Sequence, residues 1–205
     1  MEEYVRLNVV FKPPKKAIEE AIKLSKENEV FFILDGLKFH PHMTIYSPEY
    51  PRSNVDKVLE SVEEIVKNIS PITFKFNKVS GGQGFVSVKF DNSPTIKRIH
   101  EEIVEKLNPL REGRIREKYG ADYHMNFNEE QIENIKKYGY PDAMNRYSPH
   151  LSIIRLEDGS LVEEVSKKIN WSIAQFTVDK IAVYEMGEHG TCIKLIKEFE
   201  LKWKK

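Results

Sequence analysis

The sequence has 205 residues, of which 40% are hydrophobic and 31% are charged, the composition of an ordinary globular domain. Basic and acidic residues both number 32, and a net charge of zero gives no reason to expect tight, non-specific wrapping of long nucleic acid. The single cysteine, Cys192, excludes an intramolecular disulfide, and the first residues have the pattern of neither a signal peptide nor a membrane span. We therefore expect a cytoplasmic protein with no membrane partner.

The first half of the chain alternates strands and helices. Short apolar runs predict strands, and apolar residues at helical spacing predict amphipathic helices. Ser93 is expected to cap one helix, with Pro94 at its first position. In chain order we predict a strand over Tyr4–Phe11, a helix over Ala17–Asn28, a short apolar segment over Phe31–Leu34, a strand over Phe39–Tyr46, a helix over Asn54–Ile69, strands over Ile72–Val79 and Phe85–Phe90 joined by a hairpin turn at 80–84, and a helix over Thr95–Leu107.

This rhythm breaks at residues 111–147, which are polar, mixed in charge and rich in aromatic residues. Because long connections in compact domains are usually functional or flexible, we predict that 111–147 is an insert or lid next to the substrate cleft. The chain as a whole predicts an α+β fold, in one bilobal domain over residues 1–205. The remaining predicted elements are a helix over Glu129–Tyr138 ended by Gly139, a strand over Leu151–Leu156, a helix over Leu161–Ile169, and strands over Phe176–Glu185 and Thr191–Leu201.

One short phrase occurs twice in the sequence. Residues 41–45 read Pro-His-Met-Thr-Ile and residues 149–153 read Pro-His-Leu-Ser-Ile. Residues two apart in a β-strand project from the same face, which places His42 beside Thr44 and His150 beside Ser152. Two such pairs that face each other could hold a small anion, such as a phosphodiester, between them. We therefore predict His42 and His150 as catalytic residues and Thr44 and Ser152 as substrate-binding residues.

Paired imidazoles and hydroxyls suit acid–base chemistry on a phosphate. Unperturbed histidine titrates at about 6.5, so one imidazole can be neutral while its partner is protonated at cellular pH. Opening a cyclic phosphodiester needs a base that activates water and an acid that protonates the departing oxygen, each worth about 10²–10⁴-fold. The two hydroxyls would donate hydrogen bonds to the non-bridging oxygens. This scheme needs no metal and no cofactor.

The segments His42-Met43-Thr44-Ile45 and His150-Leu151-Ser152-Ile153 resemble the two His-x-Thr/Ser-x motifs of the 2H phosphoesterase superfamily, which includes 2′-5′ RNA ligase-like proteins and cyclic nucleotide phosphodiesterases. The resemblance implies a bilobal fold of two antiparallel-rich sheets with flanking helices, related by an approximate two-fold around a central cleft. It also implies a phosphoesterase that acts on a 2′,3′-cyclic phosphate or a 2′-5′ linkage. We expect an RNA terminus or a small phosphorylated nucleotide as its ligand, and a monomer.

Other interpretations of the same residues stay open. Tyr46 continues the His42 face and is a candidate for stacking on a base, or else a surface tyrosine at the end of its strand. His40 and His42 could begin a metal site, which would make the protein a metal-dependent hydrolase. A non-catalytic RNA-end or nucleotide-binding module would use the same cleft without turnover, with one histidine held away from it. The sequence does not assign base and acid, because local environment sets the two pKa values.

Overall fold

The computed structural model describes residues 3–26, 30–120 and 127–203, and these ranges form an α+β fold. Its strands are β1 (Tyr4–Phe11), β2 (Met43–Tyr46), β3 (Glu49–Pro51), β4 (Ile72–Gly82), β5 (Phe85–Phe90), β6 (His150–Arg155), β7 (Gln175–Val178), β8 (Lys180–Met186) and β9 (Cys192–Glu200). Its α-helices are α1 (Lys15–Ser25), α2 (Val55–Val66), α3 (Pro94–Leu107), α4 (Glu129–Tyr138) and α5 (Val162–Lys168). None of the helices in the described ranges is both long and apolar enough to cross a membrane.

The strands form two antiparallel sheets, one in each lobe. The first sheet has the order β2-β1-β8-β9, with β3 also paired to β1, and the second has the order β6-β5-β4-β7. The strands that carry the two histidine motifs, β2 and β6, therefore end their sheets, and they lie next to each other where the lobes meet. This confirms the predicted architecture of two antiparallel-rich sheets with flanking helices.

One hydrophobic core runs through both lobes. The apolar stripe of α2 is buried at Val58 and Val62, as its helical spacing predicts. Phe11 on β1 contacts Phe74 on β4 edge to face, with ring centroids 5.0 Å apart. Because these two rings belong to different sheets, the lobes share their packing, and the motif strands are held in place by a common core.

The prediction of one continuous strand over Phe176–Glu185 is wrong in one respect. The structure divides it into β7, which pairs with β4 in the second sheet, and β8, which pairs with β1 in the first. The chain crosses between the sheets at Asp179. β7 alternates between exposed and buried residues, whereas β8 is buried at four consecutive positions, 181–184. Because the two strands adjoin in sequence, their apolar pattern alone does not reveal that the partner strand changes.

Two further boundaries differ from the prediction. β2 begins at Met43 and not at Phe39, because the Asp35 carboxylate accepts the backbone N–H groups of residues 37–39 in a turn and Pro41 has no N–H to donate. The turn between β4 and β5 is shorter than predicted. It consists of Gln83 and Gly84, whose φ angles of 50° and 80° suit a two-residue hairpin.

The two helix ends with a capping signal are as the sequence predicts, whereas other ends differ by one to three residues, such as that of α2, which ends at Val66 and not at Ile69. The Ser93 hydroxyl accepts the Ile96 N–H at 3.3 Å, and Pro94 is the first residue of α3. α4 ends at Gly139, which adopts a φ of 67°. The helix predicted over Ala17–Asn28 ends at Ser25, and its predicted last two residues lie outside the described ranges. Residues 121–126 of the predicted insert also lie outside them.

Candidate active site

The two motifs meet around one cavity of about 410 Å³ at the junction of the lobes, named here the histidine cavity. His42 and Thr44 line it from the first lobe, and His150 and Ser152 line it from the second. The structure thus brings together the four side chains that the doubled phrase singles out. The other lining residues include polar and charged groups from β1 and β5 and from the predicted insert: Arg6, Ser87, Lys89, Gln131, Tyr140 and Asp142.

The two imidazoles are oriented by the same backbone arrangement. His42 Nδ1 lies 2.8 Å from the carbonyl oxygen of His40, and His150 Nδ1 lies 2.8 Å from that of Ser148. A carbonyl oxygen only accepts hydrogen bonds, so each Nδ1 carries the proton and donates it. In the neutral imidazoles Nε2 then holds the lone pair. Nε2 is therefore the atom of each ring that can take up a proton or, once charged, give one away.

Burial is the largest cause that lowers the pKa of both imidazoles, in each case to about 4. The carbonyl of His40 opposes this effect on His42, while the Lys89 ammonium adds to it at His150. Both rings are consequently neutral at neutral pH when the cavity holds no anion. A bound phosphodiester carries negative charge and favours the imidazolium form, so it raises the pKa of the histidine that it contacts.

The two hydroxyls are held by neighbouring strands. Asn8 on β1 donates from Nδ2 to Thr44 Oγ1 at 3.0 Å. That bond uses a lone pair of the threonine oxygen and leaves the hydroxyl proton available for donation. Ser152 Oγ lies 3.1 Å from Ser87 Oγ on β5, so the second motif hydroxyl has another hydroxyl as its neighbour where Thr44 has an amide.

Two cations that the sequence did not single out, Lys89 and Arg6, also line the cavity. Lys89 on β5 pairs in register with His150, and burial lowers its pKa although Asp142 opposes the shift. Arg6 on β1 lines the first lobe's side, and burial lowers its pKa as well. A signal for both was present in the sequence. Polar residues at alternate positions interrupt two otherwise apolar strands, Arg6 and Asn8 in one and Ser87 and Lys89 in the other.

Tyr46 does not lie in the histidine cavity, which is a correction to its candidacy for base stacking. Its side chain is fully buried, and its hydroxyl donates to the carbonyl of Tyr138 at 2.5 Å. The β1–β2 ladder shifts register between Val9, which pairs with Tyr46, and Val10, which pairs with Thr44. This bulge interrupts the alternation on which the sequence argument for a shared face depends.

The remaining histidines lie outside this cavity or outside the described ranges. His40 forms a backbone bridge to Cys192, and its ring lies 5.1 Å from that of Tyr184. His189 stacks on Phe31, and His124 belongs to the undescribed residues. Within residues 3–26, 30–120 and 127–203, no three His, Cys, Asp or Glu side chains come together in a group that could hold a metal ion.

His100 on α3 connects the two motif regions, a role that its sequence context did not indicate. It is fully buried, with Nδ1 2.8 Å from the carbonyl of Ile45 in β2 and Nε2 accepting the Met144 N–H at 2.8 Å. Its ring stacks on Tyr147 at a centroid distance of 3.9 Å, and the Tyr147 hydroxyl donates to the Thr44 carbonyl at 3.3 Å. His100 thereby ties the backbone of β2 to the segment that precedes β6.

Comparisons with known proteins agree with this arrangement. The family model of the 2′-5′ RNA ligase superfamily matches residues 35–190. E. coli LigT complexed with phosphate is 12% identical with a TM-score of 0.55, over 98% of this chain and 99% of that chain. E. coli LigT complexed with 3′-AMP is 11% identical with a TM-score of 0.57, over 98% and 100% of the two chains. TT0787 of Thermus thermophilus is 13% identical with a TM-score of 0.59, over 96% and 98%. At these identities the likeness shows a shared fold.

A curated protein, the interstitial collagenase of Equus caballus, matches over a short stretch only. It is 40% identical over 55 residues, which are 24% of this chain and 11% of that protein. The chain thus spans about a tenth of the length of that relative. A match of this extent carries no argument about fold or activity.

Proposed function

This chain belongs to the 2′-5′ RNA ligase superfamily of 2H phosphoesterases, and on that premise we propose that it hydrolyses a 2′,3′-cyclic phosphate or a 2′-5′ phosphodiester of RNA or of a nucleotide, without a metal ion. The observation that carries the proposal is the meeting of two histidine–hydroxyl pairs around one cavity, each with its Nδ1 bound to a backbone carbonyl. Solved structures of E. coli LigT with phosphate and with 3′-AMP support a ligand of this class.

In the proposed reaction the histidines transfer two protons. Nε2 of one imidazole removes a proton from water as the water oxygen forms a bond to phosphorus. The bond between phosphorus and the departing ribose oxygen breaks, and Nε2–H of the other, charged imidazole protonates that oxygen. The sum is the addition of one water molecule, which converts the diester to a monoester. His42 and His150 exchange these roles when the direction of attack is reversed.

The surrounding side chains stabilise the charge that develops on phosphorus oxygens. Thr44 and Ser152 donate hydrogen bonds to the non-bridging oxygens, and Lys89 and Arg6 lie on the two sides of the cavity as counter-charges. The substrate also contributes to the protonation of the acid. Since burial lowers the pKa of both imidazoles, the negative phosphodiester is what favours the protonated form needed for the acid.

The test is turnover of a nucleoside 2′,3′-cyclic phosphate and of a 2′-5′-linked dinucleotide by the purified protein in excess chelator. We expect a nucleoside monophosphate from the first or two cleaved halves from the second, at a rate that the chelator does not change. Binding of either compound without any product would instead support a non-catalytic nucleotide-binding module. Loss of turnover on chelation, restored by added metal, would contradict the metal-independent scheme.

A further inference from the structure

A second cavity, of about 540 Å³, adjoins the histidine cavity and is named here the adjoining cavity. Neither motif histidine lines it, and Arg6, Tyr140 and Asp142 line both cavities at their shared wall. Much of its remaining wall comes from the described parts of the predicted insert 111–147. Its volume is in the range of small-molecule sites. It is therefore a space that a substrate bound at the histidines can enter with a second chemical group.

The adjoining cavity carries an excess of positive charge. Arg6, Lys118 and Arg155 line it, and Asp142 is the one carboxylate among its described lining residues. Elsewhere on the insert cations are paired, as Arg114 and Arg116 are with Glu49. In the described part of the chain, by contrast, no carboxylate lies within 4.0 Å of the three cations that line the cavity. An anionic ligand would balance charges arranged in this way.

Aromatic rings contact two of these cations, Arg155 and Lys118, without neutralising them. The Arg155 guanidinium lies 4.8 Å from the ring centroid of Phe85 and 5.3 Å from that of Phe31, and the Lys118 ammonium lies 5.6 Å from that of Tyr119. Burial, followed by repulsion from nearby arginines including Arg155, lowers the pKa of Lys118 to about 8. Bringing like charges together costs free energy, which a bound anion offsets.

We propose that the adjoining cavity binds a second phosphate group of the substrate, one that takes no part in the reaction and that Arg6, Lys118 and Arg155 contact. The inference rests on the proposed function, because it places the reacting phosphodiester at the histidines. Arginine and lysine donors around a phosphate group form strong, charge-assisted hydrogen bonds. The preferred substrate is then a cyclic phosphodiester that also bears a separate phosphate, either a terminal monoester or the next phosphodiester of a short RNA.

The kinetic test compares three substrates that share one reacting group: a nucleoside 2′,3′-cyclic phosphate, its 5′-phosphorylated form, and a dinucleotide that ends in a 2′,3′-cyclic phosphate. We expect kcat/KM to be about 10–100-fold higher for the two compounds with a second phosphate, the gain of one charge-assisted hydrogen-bond contact. A greater gain with the 5′-phosphate identifies a terminal monoester, and a greater gain with the dinucleotide identifies an internal diester. Equal kcat/KM for all three would overturn the inference.

Variants of Lys118 test whether the adjoining cavity is the source of the higher kcat/KM for substrates with a second phosphate. In Lys118→Met the ratio of kcat/KM between the 5′-phosphorylated and unphosphorylated substrates should fall about tenfold, and Lys118→Arg should retain it because the charge remains. Lys136→Met is the matched control, since Lys136 is an exposed lysine of the same insert that lines neither cavity. An unchanged ratio in Lys118→Met, or an equal fall in Lys136→Met, would overturn the assignment of this cavity.

Equilibrium binding separates failure of this inference from failure of the proposed function. Calorimetry with a nucleoside 3′-monophosphate and a nucleoside 3′,5′-bisphosphate needs no turnover. We expect the bisphosphate to bind about tenfold more tightly to the wild-type protein, and expect Lys118→Met to remove the difference. If no cyclic phosphate is hydrolysed but this difference is seen, only the proposed reaction is wrong. If turnover is seen but the two affinities are equal, only the second phosphate site is wrong.

Discussion

The two motif-bearing halves of the histidine cavity repeat one backbone arrangement but surround it with different side chains. In both halves the histidine Nδ1 lies 2.8 Å from the carbonyl oxygen two residues earlier. The Thr44 hydroxyl has the Asn8 amide as its partner, whereas the Ser152 hydroxyl lies beside a second hydroxyl, that of Ser87. The second half also places Lys89 directly opposite its histidine in the strand register.

This difference separates two requirements of the proposed chemistry. The backbone contact is the same in both halves. It holds the Nδ1 proton and thereby leaves Nε2 as the ring nitrogen that exchanges a proton. The side chains around this contact are not duplicated. Each half contributes one cation, Arg6 or Lys89, but only Lys89 pairs in register with its histidine, and only Ser152 lies beside a second hydroxyl. We therefore expect the two histidines to be equally necessary, and the residues around them to be unequally so.

The largest expected effect is the loss of either histidine. His42→Ala and His150→Ala should each lower kcat about 10²–10⁴-fold, because each removes one proton transfer of the same step. The double variant should lose little more than the worse single variant, since residues that act as a unit are strongly non-additive. His40→Ala is the control, because it keeps the backbone carbonyl that holds His42. Losses that multiply in the double variant would mean that the two histidines act in separate steps.

Removal of Lys89 tests the difference in where the two halves place their cation. Lys89→Met should lower kcat/KM about 10–100-fold, the size expected for a charge-assisted contact to phosphate. It should also raise the pKa of His150, because the ammonium adds to the burial that lowers this pKa. NMR titration of both imidazoles is the measurement. A shift of His42 as large as that of His150 would remove the proposed distinction between the halves.

Removal of the Thr44 or the Ser152 hydroxyl should lower kcat by less and compares the two halves directly. Thr44→Val should lower kcat by about tenfold, because it removes a motif hydroxyl whose neighbour is the Asn8 amide and not a second hydroxyl, and it leaves a similar shape. Ser152→Ala should cost less, since the Ser87 hydroxyl lies 3.1 Å from the lost group and remains able to donate to phosphate. In the double variant Ser152→Ala/Ser87→Ala, the loss of kcat should approach that of Thr44→Val. Steady-state rates of the four proteins give the order, and a Ser152→Ala loss above that of Thr44→Val would reverse it.

His100, which ties β2 to the segment before β6, is expected to affect the stability of the fold and not the reaction. Burial lowers the pKa of His100 to about 4, below the value of about 6.5 in an unfolded chain. The unfolded state therefore binds more protons between these values, so stability is complete above about pH 6.5 and falls as the pH drops toward 4. The loss from His100 is on the order of 3 kcal/mol.

Urea unfolding at pH 7 and pH 5 measures this dependence. His100→Phe should unfold at lower urea at pH 7, because the Ile45 carbonyl and the Met144 N–H lose their buried partner, at a cost of about 1–3 kcal/mol for each group. Its stability should also change less between the two pH values than that of the wild type. An equal change in both proteins would show that His100 is not a source of the pH dependence.

Much of the architecture could be predicted from the sequence because local signals determine it. The cap of α3, the end of α4 at Gly139 and the strand β1 all follow from residues close together in the chain. The change of sheet at Asp179 could not be predicted, because the apolar pattern of a strand does not show which strand it pairs with. The bulge in β2 likewise depends on pairing with β1, and no local signal in the sequence shows that it interrupts the face shared by His42 and Thr44 before Tyr46.

The candidate site likewise contains residues that local sequence predicts and residues that only the fold brings together. The doubled phrase identified His42, Thr44, His150 and Ser152 because a repeated pattern is visible in one dimension. Arg6 and Lys89 reach the cavity through strand pairing, and the sequence signal for them is only a polar residue within an apolar strand. His100 gave no signal at all. Its role comes from contacts to residues 45 and 144, which only the folded chain brings near it.

The pH dependence of wild-type turnover of a nucleoside 2′,3′-cyclic phosphate tests the two-histidine scheme most directly. The account predicts a bell-shaped profile of kcat/KM centred near pH 4, because burial lowers the pKa of both free imidazoles to about 4. The basic limb of kcat should lie at higher pH, because bound phosphodiester favours the protonated acid. A kcat/KM profile with no bell, or basic limbs of kcat and kcat/KM at the same pH, would contradict it.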